Sequence, residues 1–140
     1  MEPTLYLYFN GDCFEAMSFY EKTLGGEIMG VFRNADAPSA DDRMPGGDHL
    51  VMNMAMRLGH TMIMASDSPD SWYSKPQGFS ISLAPKSVED FDRLFDALAE
   101  NAQAVTMPPG ETFWAERFAM FKDRFGTPFM LNYEGNRAQS

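Results

Sequence analysis

Few side chains in this sequence have the chemistry of a reaction centre, and their spacing separates them. Cys13 stands at the start of a predicted helix, where a thiolate is favoured. Neither His49 nor His60 is placed to serve as its base, so a small buried apolar role is the favoured reading for this sulfur. The two histidines fall at opposite ends of one predicted hairpin, about 27–30 Å apart if the residues between them are extended. That separation argues against a shared metal within one subunit. Asp67 follows a strand and Glu111 precedes one, and each is a candidate general base or a partner for a substrate cation. The competing reading is that Asp67 caps a turn and Glu111 pairs with a nearby arginine.

The run from Glu111 to Tyr133, ETFWAERFAMFKDRFGTPFMLNY, must do most to shape a site. Arg117 to Lys122 alternates, with Phe118, Met120 and Lys122 on one side and Ala119 and Phe121 on the other. Phe129 to Tyr133 is a second apolar strand, and Asp123 to Pro128 carries the Asp, Gly and Pro of a tight turn. Aromatics and methionines beside Glu111, Thr112, Arg117 and Asn132 suit an apolar pocket with few orienting polar groups. Plain core packing is the alternative. The expected lining is Met64, Trp72, Thr112, Trp114, Arg117, Phe118, Met130 and Asn132.

Other elements position these residues. Thr4 to Phe9 reads as a strand. Asp12 and Glu15 have the spacing of an N-cap and its reciprocal partner, and Cys13, Met17, Tyr20 and Leu24 form a helical stripe ended by Gly25-Gly26. Strands are predicted over Glu27–Arg33, His49–Arg57 and Thr61–Ser66. Between them, residues 34–48 form a long polar loop, read as a flexible connection. A second loop, Asp67 to Gln77, holds Trp72-Tyr73, which suits a ligand lid, an interface anchor or a segment folded back on the protein. Then the order restarts: a strand through Phe79, Ile81 and Leu83, a helix capped at Ser87, a strand over Ala104–Met107 ending at Pro108-Pro109-Gly110, and the hairpin. Each half reads strand, helix, three strands.

With 140 residues, 44% of them hydrophobic, the chain can build one domain with a real core. A single cysteine excludes an intrachain disulfide. The absence of a signal-peptide pattern and of a long apolar run makes it read as soluble and cytoplasmic. A net charge of −9 argues against nucleic acid, whose phosphates it would repel, and is compatible with a cationic ligand. Twelve methionines and twelve phenylalanines suit either an adaptable core or a malleable cavity. No dinucleotide fingerprint, P-loop or nucleophile elbow is present.

Several stretches together resemble the PhnB-like branch of the vicinal-oxygen-chelate superfamily, which also holds glyoxalase I, extradiol dioxygenases and bleomycin-resistance proteins. These are Phe9-Asn10-Gly11, Glu15-Ala16, Phe19-Tyr20, Leu24-Gly25-Gly26, Met64-Ala65-Ser66-Asp67, Glu111 to Ala115, and Lys122 to Asn132. The resemblance implies an α+β fold: a single domain over 1–140, with two βαβββ modules, about 3–67 and 78–134, whose curved mixed sheets enclose a cleft. It implies a homodimer, which exposed apolar residues such as Trp72 would fit. It also implies a divalent metal held from the first and last strands of each module. Those positions fall among Thr4, Leu5 and Tyr6, among Gly78, Phe79 and Ser80, and near Met64 and Met130. No histidine or carboxylate stands there, so the usual metal site is expected to be lost and no cofactor is expected. Branch members are sometimes labelled methyltransferases, but no Gly-rich strand-to-helix loop for a methyl donor occurs here. Two functions compete: a metal-independent small-molecule binder for an aromatic or cationic ligand, and a lyase, isomerase or hydrolase using Asp67, Glu111 or an unrecognised metal site.

Overall fold

A computed structural model describes residues 1–138. The chain divides into two compact units, one over Met1–Ser74 and one from Lys75 onward. Each repeats the expected order. The first holds β1 (Leu5–Phe9), α1 (Cys13–Leu24), β2 (Glu27–Arg33), β3 (Val51–Leu58) and β4 (Thr61–Asp67). The second holds β5 (Ile81–Leu83), α2 (Val88–Leu98), β6 (Ala104–Gly110), β7 (Arg117–Lys122) and β8 (Pro128–Tyr133). The sheets run β1-β4-β3-β2 and β5-β8-β7-β6, each with one parallel pair (β1 with β4, β5 with β8) and two antiparallel pairs. This is the α+β fold of paired βαβββ modules.

Alternation along the strands gives each sheet a helix-side face and an open face. In the first unit Leu7, Phe9, Met54, Met56, Ile63 and Ala65 are buried on the side of α1, which contributes Cys13, Ala16, Met17 and Tyr20. The rings of Phe9 and Tyr20 lie 6.5 Å apart there. In the second unit Phe91, Leu94 and Leu98 of α2 cover Ala119, Phe121, Phe129 and Leu131. Phe95 meets Phe121 edge-on at 5.5 Å, and Phe121 stacks on Phe129 at 5.8 Å.

Several boundaries differ from the sequence reading. β3 begins at Val51 rather than His49, because Leu50 N–H closes a turn on Gly47 O. β5 begins at Ile81, leaving Phe79 outside the strand. β6 continues through Pro108 and Pro109 to Gly110. Those prolines are tolerated because β6 is the sheet edge, and its register shifts between Met107 and Gly110. The expected cap at Asp12 is replaced: Asp12 makes no side-chain cap bond, and Asp67 takes over that work. Ser87 does cap α2, accepting from Asp90 N–H at 3.0 Å. The polar stretch 34–48 contains two short 3-10 turns, Asn34–Asp36 and Ala40–Asp42. The buried Asn34 ties it together: its amide donates to Met44 O and Gly47 O, both at 2.9 Å, and accepts from Met44 N–H at 3.2 Å.

Candidate functional site

The open face of the second sheet gathers most of the expected pocket residues. Three antiparallel rungs cross β7 and β8 on this side: Phe118 with Asn132, Met120 with Met130, and Lys122 with Pro128. Trp114 leaves the preceding turn and lies against Phe118, their rings 5.2 Å apart and nearly perpendicular. That cover explains why Phe118 is only 5% exposed although it points away from α2. Trp114 itself is 41% exposed. Its indole Nε1–H donates to Asn132 Oδ1 at 3.1 Å, which fixes the ring over the strand. Thr112 supplies the turn beneath: its hydroxyl accepts from Trp114 N–H at 3.3 Å and from Ala115 N–H at 3.0 Å. Ser82 of β5 faces Met130, hydroxyl to sulfur at 3.7 Å. A cleft of about 270 Å³ opens where residues 76–80 approach Ala104, Met120, Lys122 and Pro128.

Other expected site residues lie elsewhere. Arg117 is on the helix side of β7, where its guanidinium pairs with Asp92 and sits 5.8 Å from the Phe91 ring centroid. Glu111 is exposed and paired with Arg137. Asp67 belongs to the first unit and is 4% exposed. One of its oxygens accepts from Gly11 N–H at 2.9 Å and Cys13 N–H at 3.0 Å, the other from Val51 N–H at 2.9 Å. It therefore holds the entry to α1 and the start of β3 together. Cys13 is buried under the same carboxylate. Burial, with Asp67 and Asp12 adding to it, pushes its thiol far above the ordinary range, opposite to what a nucleophile needs.

Met64 lies on the open face of the first sheet, next to Tyr6 in register. Tyr6 and Tyr8 lie 5.0 Å apart, ring to ring, and Tyr8 borders a cleft of about 260 Å³ with Ser68, Trp72 and Ser74. Trp72 is 61% exposed. Of the positions where the resemblance puts metal ligands, Tyr6 lies beside Met64 on the open face of the first sheet, whereas Gly78, Phe79 and Ser80 precede β5, and the residue in register with Met130 is Ser82. A set of hydroxyls and thioethers does not suit a hard or borderline dication. Among the described residues, no three His, Cys, Asp or Glu side chains group as metal ligands would.

Residues 4–131 match the Glyoxalase/Bleomycin resistance protein/Dioxygenase superfamily. The chain belongs to this superfamily. Its place within it is the PhnB-like branch. Protein YjdN of Escherichia coli is 36% identical over 135 residues, covering 91% of each chain. The crystal structure of protein PA1353 from Pseudomonas aeruginosa superposes with a TM-score of 0.82 at 39% identity, covering 96% of this chain and 98% of that one. A Bacillus cereus PhnB protein, described as a putative 3-demethylubiquinone-9 3-methyltransferase, gives a TM-score of 0.82 at 25% identity, covering 95% and 99%. Superfamily membership explains the repeated module and leaves the chemistry to the side chains on each sheet. On these open faces the glyoxalase-type frame carries aromatic rings, thioethers and hydroxyls. Among the described residues, no helix is long and apolar enough to cross a membrane.

Proposed function

We propose that this chain binds a small organic molecule on the open face of its second sheet, without a divalent metal and without turning it over. The arrangement of Trp114, Phe118 and Asn132 supports this reading most directly. A half-exposed indole is held by a donated hydrogen bond and by an edge-on ring, beside the flexible thioethers of Met120 and Met130. Such a surface gives an apolar body wide contact and a few fixed polar points. The metal-free part rests on the donor set of Tyr6, Met64, Ser82 and Met130. A carboxylate-based reaction finds little support, because Asp67 is engaged by three backbone N–H groups and Glu111 by Arg137. We further infer a homodimer, with Trp72 and the 85%-exposed Phe113 as the side chains an interface would cover.

The test is metal analysis of protein purified without a histidine tag, paired with thermal melting on added Mg²⁺, Mn²⁺, Ni²⁺ and Zn²⁺. The expected result is less than about a tenth of an equivalent of metal and no ion-dependent rise in Tm, whereas an organic ligand raises Tm by mass action. One equivalent of metal with a clear shift would overturn the metal-free reading. Sedimentation that shows a monomer at all concentrations would overturn the dimer.

A further inference from the structure

Resting on that reading, we propose that the second sheet selects an aromatic anion, with its acidic or acceptor oxygens bound by Lys122 and Asn132. The charge of the whole chain points the other way, toward a cation, so the local chemistry has to be decided separately. Strands β5 to β8 contain no Asp or Glu at all. Their two cations are Arg117 and Lys122. Arg117 is turned to the helix side and paired with Asp92. Lys122 is on the open face, lines the 270 Å³ cleft, and has no ion-pair partner among the described residues. Neighbouring carboxylates are engaged: Asp123 accepts from Phe125 and Thr127 N–H inside the turn, Glu111 pairs with Arg137, and Glu116 accepts from Asn136 N–H. Glu134 is exposed beyond the end of β8.

Asn132 adds a second donor, and its orientation follows from chemistry. An indole N–H can only donate, so the amide must turn its oxygen to Trp114. The Nδ2 hydrogens then face away from the indole, and no acceptor among the described residues takes them. The face thus offers an ammonium at one end and an amide N–H pair at the other. They stand on rungs four residues apart, about 13 Å along the strands, with the thioethers of Met120 and Met130 midway. A flat ring lies well on thioethers, and oxygens at its rim reach the donors. The acidic remainder of the surface matters less, because exposed charges beyond a Debye length of about 8 Å are screened at physiological salt.

The experiment titrates the protein with 6-hydroxy-2-naphthoate, whose carboxylate and phenol oxygen lie at opposite ends of the ring, and with the matching 6-hydroxy-2-naphthylmethanol and 6-hydroxy-2-naphthylmethylammonium, followed by calorimetry. The unaltered chain is expected to bind the naphthoate tightest, about tenfold or more over the ammonium, with an affinity that falls as salt rises. Lys122→Glu and Asn132→Asp should each weaken naphthoate about tenfold or more, and Lys122→Glu should reverse the preference. Asn132→Asp keeps an oxygen for Trp114 while replacing the donor pair, so its Tm stays near that of the parent. Lys122→Gln, neutral and of similar length, should lose affinity without gaining the ammonium. Equal or tighter binding of the ammonium by the unaltered chain overturns the proposal, as does naphthoate affinity unmoved by all three substitutions. If none of the three compounds binds the unaltered chain, the binding function proposed for this face falls with it.

Discussion

Helix α1 starts under a carboxylate that lies 54 residues further along the chain, whereas α2 starts under its own Ser87. In the first module Asp67 reaches from the end of β4 to Gly11, Cys13 and Val51, so one buried side chain joins a helix entry and two strands. In the second module the cap is local: Ser87 accepts from Asp90 N–H, and Asp90 accepts in turn from Lys86 N–H at 3.2 Å. The Arg93 guanidinium and then the Lys86 N–H hold the Asp90 carboxyl below its ordinary range. The open faces differ as well. On the first sheet Glu27 and Arg57 are partners in register and neutralise each other at 2.6 Å. On the second, Lys122 has no ion-pair partner and the Asn132 amide hydrogens no acceptor among the described residues. The same order of elements thus engages its polar groups with one another in one half and leaves polar donors exposed in the other.

The largest expected effect tests the cohesive half. Asp67→Ala leaves three backbone donors without their acceptor and should cost about 3–5 kcal/mol in urea unfolding. Asp67→Asn keeps part of the acceptor capacity and should cost less. Ser87→Ala, by contrast, removes one local cap and should cost about 1 kcal/mol. Equal losses at Asp67 and Ser87 would break the comparison of the two helix starts. Smaller still, Glu27→Gln removes an exposed pair worth no more than about 1 kcal/mol. It should leave naphthoate binding unchanged, and a change there would move recognition to the first sheet. The smallest effect concerns Cys13. Its thiol is held neutral by burial, so its contribution is whole below the ordinary thiol value of 9.0 and declines as pH rises above it. The Tm difference between the unaltered chain and Cys13→Ala should therefore be constant from pH 6 to 8 and narrow by pH 10. The folded thiol should also resist a disulfide reagent at pH 8, and rapid labelling would place Cys13 at the surface.

Much of the frame was legible in the residues themselves. The αL residue Gly25 (φ 75°) ends α1 where Gly25-Gly26 stood in the sequence, and Asp123 to Pro128 turn the hairpin as their types require. The alternation of Arg117 to Lys122 also contained the answer for Arg117. It put Phe118, Met120 and Lys122 together and left Arg117 on the side of Ala119 and Phe121, where it pairs with Asp92. Grouping it with the pocket ignored that period. Lys122 and Met120 were on the site side by the same count, yet nothing local marked Lys122 as lacking an ion-pair partner. The two prolines end the strand in the sequence reading, because only the sheet order and the register shift between Met107 and Gly110 reveal how the edge strand β6 accommodates them.

Local periodicity and turn chemistry therefore determined the element order, the α2 cap and the hairpin, while the resemblance of whole motifs pointed to the family. These depend on residues a few positions apart, where geometry is set by the backbone itself. The tertiary structure decided which carboxylate starts α1 and which way the Asn132 amide turns. Each of these joins residues distant in sequence or brought together by strand register, and hydrogen-bond direction exists only once both partners are placed.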